Sequence, residues 1–271
     1  MSKKPLPTPF CPLKASDMGV GLSVENLSVI YQAPDGGDLP ALGPLSFETT
    51  PASFVCLLGP SGCGKSTLIR VLAGLQRATG GEAYLGKERI LQPSRQVGVM
   101  FQDANLMPWR TVVENIALPL ELVGVEKRQR LATARNMLPG LGLDEEFAES
   151  YPGELSGGMA QRVALGRVLI QQPEVLLLDE PFGALDAFTR EQISIDLMQM
   201  WSTLRQTVVM VTHNIDEAVL LSDRILIFSP RPGQIVADIP VNLPRPRRIE
   251  DSYGDEFGRL AGQVRAAVQS T

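Results

Sequence analysis

"GPSGCGKST", Gly59–Thr67, decides the fold. It matches the pattern G-x-x-x-x-G-K-[ST]. Before it stands "SFVCLL", a short apolar run that predicts a buried strand; after it, "TLIRVLAGL" has the apolar spacing of a helix. Strand, glycine-rich turn and helix in that order make a cradle for phosphate. Glycines let backbone N–H groups approach and point inward. The helix aims its positive end at the same place. On this reading Gly59, Pro60, Ser61, Gly62, Cys63 and Gly64 form the loop. Lys65 supplies a mobile positive charge for β- and γ-phosphates, Ser66 offers a hydroxyl to Mg²⁺, and Thr67 completes the pattern. The bland alternative is a plain glycine-rich turn, which the flanking strand and helix oppose.

Working outward, the chain downstream alternates regularly. "EVLLLDE" is an uninterrupted apolar run, as a strand buried on both faces should be. "REQISIDLMQMWSTLR" reads as a helix, "TVVMVTH" as a strand, "IDEAVLLSD" as a helix and "RILIFSP" as a strand. Such alternation implies a parallel sheet with crossover helices. Upstream, "LSVENLSVIY", "ALGPLSFE", "EAYLG" and "QVGVMFQ" read as strands, with Gly80–Gly81 as a turn. Residues 111–150 are helix-like, and "GGMAQRVALGRVLIQQ" is a further helix. Residues 1–21 read as a loose tail. "NLPRPRRIED" is a proline-broken basic linker. Phe257, Leu260, Val264 and Val268 form a stripe that predicts a short helix packed on the body.

Composition sets the outer limits. A chain of 271 residues, 44% hydrophobic and 20% charged, suits one large domain or two small ones. Its net charge of −5 argues against a protein that coats nucleic acid. The cysteines, Cys11, Cys56 and Cys63, are odd in number and match no zinc spacing. Free thiols suit a reducing cytosol, and Cys56 reads as a small core residue. No run approaches the roughly 20 apolar residues of a membrane helix. The start, "MSKKPLPTPFCPLKASD", has no apolar h-region and is not a secretory signal. The chain reads as soluble, and able to dock on a membrane protein.

Two further stretches carry chemistry. "VLLLDEP" ends a buried strand with Asp179 and Glu180. Ligands of open parallel sheets sit beyond the carboxyl ends of the strands. There Asp179 would hold the Mg²⁺ shell, and Glu180 would orient or deprotonate an attacking water. The alternative is a solvated acidic turn. His213, the single histidine, ends the next strand-like run and should share that sheet edge. It is either a structural imidazole or a group that hydrogen-bonds the γ-phosphate or the attacking water. Asn214 reads as the N-cap of the following helix, with Glu217 as its capping-box partner.

"ELSGGMAQRVALGR", Glu154–Arg167, adds a resemblance. With the phosphate loop, "FQD", "LLLDEP", "GALD" and "VTH" in that order, the chain resembles the nucleotide-binding subunit of an ABC transporter over about residues 22–240. The resemblance implies an α/β fold of the P-loop NTPase class: a RecA-like parallel sheet core, an antiparallel β subdomain and an inserted α-helical subdomain. It implies a nucleotide-binding domain over 22–244, its helical part at about 103–168, and a C-terminal linker and short helix over 245–271. The cofactors implied are ATP and Mg²⁺. Ser156, Gly157 and Gly158 resemble the signature that binds ATP held by a second copy of the domain, with Asp186 at the seam. Gln102 matches the residue that touches Mg²⁺ and water and senses the membrane partner. Tyr31 is similar to the aromatic that stacks on adenine, or is an ordinary strand aromatic; the loop "QAPDGGDLPAL" loosens that alignment. Leu106–Leu120 resembles the surface that grips a coupling helix of the permease, or is core of the helical subdomain. "LMPWRTV" and "DEPFGALDAFTRE" look most like importers of the nitrate, sulfonate, taurine and bicarbonate group. Met159 departs from the glutamine that many members carry, and reads as a mark of that group.

The implied partners are permease subunits, a second nucleotide-binding domain (identical or a paralogue) and a periplasmic or lipid-anchored solute-binding protein, with no nucleic acid. The implied place is the cytoplasmic face of the inner membrane. The rivals are an export ATPase of the same fold, and a soluble ABC ATPase acting on nucleic acid or ribosomes. A non-transport P-loop kinase is opposed by the signature stretch.

Overall fold

Residues 20–32, 36–183 and 185–271 are described by the computed structural model. The expected tail and Cys11 lie outside them, save for Val20 and Gly21. The strands are β1 (Leu22–Gln32), β2 (Asp38–Glu48), β3 (Phe54–Leu58), β4 (Gly80–Leu85), β5 (Glu88–Arg89), β6 (Val97–Met100), β7 (Val175–Asp179), β8 (Thr207–Val211), β9 (Arg224–Phe228) and β10 (Ile235–Pro240). The α-helices are α1 (Lys65–Leu72), α2 (Val112–Leu122), α3 (Lys127–Met137), α4 (Gly157–Leu169), α5 (Ala187–Leu204), α6 (Ile215–Leu221) and α7 (Asp255–Gln269).

Strands without an exposed residue need cover on both faces, and β3, β7 and β8 are buried at every position. They form the centre of a sheet ordered β10-β9-β3-β8-β7-β6, parallel except for β10. Side chains alternate across it. Phe54, Cys56, Leu58, Leu176, Leu178, Val208 and Met210 join the core under α2 and α4–α7. Val55, Leu57, Val175, Leu177, Val209 and Val211 join a second core with α1 and the other sheet. That second sheet is antiparallel, in the order β2-β1-β4-β5.

Several expectations are corrected. Gly80–Gly81 is not a turn but the start of β4, where β1 and β4 shift register. Gly81 has φ +71°, and a Cβ there would stand 2.3 Å from the Asn26 carbonyl oxygen. Helix does not continue to residue 150. It stops at Met137 and gives way to short 3₁₀ turns, because Pro139, Gly140 and Gly142 break it. The C-terminal helix is not short: α7 has 15 residues, and buries Phe257, Leu260 and Val264.

The basic linker packs against the body. Arg247 is only 6% exposed. Its guanidinium donates to the carbonyls of Val219, Leu220 and Ser222 at the end of α6, and to those of Val241 and Leu243. A cation there satisfies oxygens that a helix end leaves without partners. Arg245 donates to Asp223 at 2.8 Å and lies 4.2 Å from the Trp201 ring centroid. The other oxygen of Asp223 accepts from the backbone N–H of Phe54 at 2.9 Å, which ties the segment to the first residue of β3. Arg247→Ala is therefore expected to cost about 3 kcal/mol of unfolding free energy, since buried carbonyls lose their donor. Urea denaturation measures it; a loss below about 0.5 kcal/mol, the range of a neutral surface change, would contradict this role.

Candidate active site

Register brings the site together. Leu57 of β3 and Asp179 of β7 both lie opposite Val211 of β8. Three strands thus end at one level, and the segments that leave them share one edge. After β3 comes the Gly59–Gly64 loop and then α1. After β7 comes Glu180, and after β8 come Thr212 and His213.

In the loop, Lys65 is 4% exposed and curls back. Its Nζ donates to the carbonyls of Gly59 and Pro60 at 2.9 and 2.8 Å. The loop is braced from the edge hairpin. Gly233 donates to the carbonyl of Ala41 at 3.1 Å, and a Cβ on it would stand 2.0 Å from the Cys63 carbonyl oxygen. Only bare backbone fits there.

Ser66 Oγ donates to Asp179 Oδ1 at 2.9 Å. Burial raises the Asp179 carboxyl above its ordinary range, and the Ser66 hydrogen bond opposes the shift. Hydroxyl and carboxylate side by side are hard oxygen donors. Among the described residues no cluster of three or more His, Cys, Asp or Glu could hold a metal alone. That sparse set fits Mg²⁺, which takes one or two protein oxygens and completes its shell with phosphate and water.

Glu180 Oε1 and His213 Nε2 are hydrogen-bonded at 2.6 Å. The Glu180 backbone N–H donates to the Val211 carbonyl at 3.0 Å, and φ is +49°. A side-chain residue in that left-handed region costs about 1–2 kcal/mol. Glu180, His213, Gln102 and Gly183 line one cleft of 490 Å³. The Gln102 carbonyl accepts from Gln161 Nε2 of α4 at 2.7 Å, and Arg167 of α4 holds the carbonyls of Ala104 and Asn105.

Other expected site residues lie apart. Ser156 caps α4, accepting from the Met159 N–H at 3.3 Å, and stands exposed beside Gly157, while Gly158 is buried against Thr189. Asp186 caps α5, and the Thr189 N–H holds its carboxyl below the usual range. Among the described residues no hydrogen bond joins Ser156, Gly157, Gly158 or Asp186 to the phosphate loop. The Tyr31 hydroxyl lies 3.2 Å from Thr67 Oγ1 and donates to Gln76 at 2.8 Å, beside α1. The Leu106–Leu120 stretch divides: Val112, Val113, Ile116 and Ala117 are core, whereas Trp109 is 71% exposed.

Two residues escaped the sequence reading. Arg190, one turn into α5, donates to the Phe182 and Leu185 carbonyls, and so holds the segment after Glu180. Its spacing of four from Asp186 was the available signal. Thr212 is the other. Asn214 caps α6 as expected, accepting from the Glu217 N–H at 3.1 Å. The Glu217 carboxyl does not return the bond. It turns inward and accepts from the Thr212 hydroxyl, while Thr212 Oγ1 accepts from the Asn214 N–H. The capping box is thus half formed, because Glu217 is drawn into the core beneath His213.

Burial raises the Glu217 carboxyl above its ordinary range, against the Thr212 hydrogen bond, and Oε1 has no partner. With a folded pKa above the unfolded one, this group's contribution is present at low pH. It is lost as pH climbs from the unfolded value through the folded one. Glu217→Gln escapes that loss. Its melting temperature, relative to the parent chain, is expected to rise from about pH 4 to about pH 8. A difference independent of pH in thermal melts would contradict the assignment.

The ABC transporter family matches residues 42–183 of this chain. The taurine import ATP-binding protein TauB of Rhizobium johnstonii is 42% identical over 257 residues, 92% of this chain and 97% of that one. The aliphatic sulfonates import ATP-binding protein SsuB of Bacillus cereus is 47% identical over 203 residues, 75% of this chain and 79% of that one. Among solved structures, the dimeric post-hydrolysis state of the ATP-binding cassette MJ0796 bound to ADP and Pi is similar with a TM-score of 0.74. It is 31% identical, and the match covers 82% of this chain and 100% of that chain.

Proposed function

From the premise that this chain belongs to the ABC transporter family, as an ATPase of the P-loop NTPase fold, we propose that it drives an importer of a small anionic solute of the nitrate, sulfonate, taurine and bicarbonate group, sulfonates foremost. The observation that carries the mechanism is the 2.6 Å bond between Glu180 and His213, made across the ends of adjacent strands beside the phosphate loop.

The N–H groups of Gly59–Gly64 and the start of α1 hold the phosphates. Lys65 exchanges the Gly59 and Pro60 carbonyls for phosphate oxygens. Ser66, Asp179 and Gln102 would hold Mg²⁺, which when bound neutralises charge on the β- and γ-phosphates. Glu180 orients the attacking water and takes its proton. His213 turns from Glu180 to hold the γ-phosphate. Tyr31 offers its ring to adenine.

A second nucleotide-binding domain completes the pocket. Ser156, Gly157 and Gly158 open α4 with bare N–H groups, and supply them to the ATP held by the partner, with Asp186 at the seam. The exposed Ser156 and Gly157 support this reading, since they have a ligand to gain. In the helical part at about 103–168, Trp109 and its neighbours grip the permease at the cytoplasmic face of the inner membrane. The body over 22–244 and the segment 245–271 then divide the chain. A periplasmic or lipid-anchored solute-binding protein delivers the anion.

Glu180→Gln is expected to bind ATP, form a dimer and hydrolyse about 10²–10³-fold more slowly. Single-turnover hydrolysis with size-exclusion chromatography measures both; parent-level turnover would refute the base. His213→Ala is expected to lose a similar factor while keeping nucleotide affinity. A parallel fall in ATP binding would mark the imidazole as structural only.

A further inference from the structure

We propose that the hollow between the C-terminal segment and α5 is a binding site for a small oxyanion with a short apolar body. The hollow has a volume of 620 Å³. Four arginines line it, Arg205 at the end of α5 and Arg245, Arg247 and Arg248 from the C-terminal segment, in a chain whose net charge is −5. Ile195 and Met198 of α5, with Ile249, give the lining an apolar part.

The guanidiniums outnumber the carboxylates paired with them. Asp223 serves two guanidiniums, at 2.8 Å from Arg245 and 3.9 Å from Arg247. The Arg247 side chain is 1% exposed, and its hydrogen bonds go to neutral carbonyls. A buried cation that shares its carboxylate is costly, and burial pulls the Arg247 pKa down to about 10, with the Arg245 charge adding to it and the Asp223 and Asp251 charges opposing it. Arg205 ends α5 with φ +53° and lies 5.9 Å from the Trp201 ring centroid. Among the described residues neither the Arg205 nor the Arg248 guanidinium makes an ion pair with a carboxylate, although the Arg248 backbone N–H donates to Asp251 at 2.6 Å, and both residues are exposed at the mouth of the hollow. Two acids lie close by: Glu250 in the lining, and Asp251, which accepts from the Arg248 backbone N–H and whose charge reaches Arg247.

Guanidinium forks match the geometry of sulfonate, phosphate or carboxylate heads. The head sits between Arg205 and Arg248, whose guanidiniums have N–H groups to give, and its charge adds to that of Asp223 near the buried Arg247. The apolar body lies along Met198 and Ile195. A bare inorganic anion would leave that apolar part empty, and a neutral alkyl group would leave the arginines unpaired. The site is independent of the importer reading.

The test is isothermal titration of the full chain saturated with a non-hydrolysable ATP analogue, so that the β- and γ-phosphate positions are both filled and cannot take the probe. The probes are 1-butanesulfonate and butyl phosphate, with inorganic sulfate and phosphate as the bare heads. At least one alkyl anion is expected to bind tenfold or more tightly than its bare head. That binding is expected to weaken at least tenfold in the double variant Arg205→Glu, Arg248→Glu. Hydrogen exchange on the unaltered chain is expected to show protection over 245–250 with the same probe, so the result does not depend on how the variant folds. Bare heads binding as tightly as alkyl anions, an unchanged affinity in the variant, or protection confined to other segments would each overturn the site.

Discussion

Val211 has two strand neighbours, Leu57 on one side and Asp179 on the other, and that pairing fixes where three chains of backbone leave the sheet. Every side chain assigned to phosphate or water chemistry within this chain departs from that level or lies against it. A slip of one residue in β7 would turn Asp179 to the opposite face and part it from Ser66. The slip is prevented by burial. β3, β7 and β8 have no solvent face, so any shifted register would exchange two tightly filled cores at once. The precision of the site is therefore a property of apolar packing, and its polar residues inherit it.

The same packing lets the site hold unfavourable states. Glu180 keeps a left-handed backbone because the Val211 carbonyl takes its N–H. Asp179 keeps a carboxyl in a buried place because Ser66 donates to it. Glu217 stays in the core with one oxygen unpartnered, anchored by Thr212 immediately before His213. Each is a local cost that the surrounding sheet over-determines. They cluster within a few residues of the strand ends, where the side chains proposed for chemistry need fixed positions more than low energy.

How much of the molecule is legible in its chain depends on how locally each feature is encoded. The glycine-rich loop between β3 and α1, the central strands and the edge shared by Asp179, Glu180 and His213 were legible, since short apolar runs and a glycine-rich turn carry their own meaning. β10 was not. As an edge strand it buries Ile239 and leaves its other residues partly or fully open, and it ends in Pro240, so its pattern resembles a loop. The fate of Arg247 was equally hidden. Prolines and arginines predict solvent, and the carbonyls that capture this one belong largely to a helix end some 25 residues earlier. Glu217 satisfied a capping pattern three residues from Asn214, yet its carboxyl answered to Thr212, which only the fold brings beneath it. Legibility ended where a side chain chose between a near partner and a distant one.

The contact between Gly233 and the Cys63 carbonyl has a wider meaning. Residues 63 and 233 stand far apart along the chain, yet they form one keyed part, whose fit depends on a missing methyl group. Neither can drift alone. Grafting this loop onto a cousin would fail wherever the recipient hairpin carries alanine at the matching place, however faithful the transplanted nine residues were. Inheritance of the cradle is thus inheritance of its backstop.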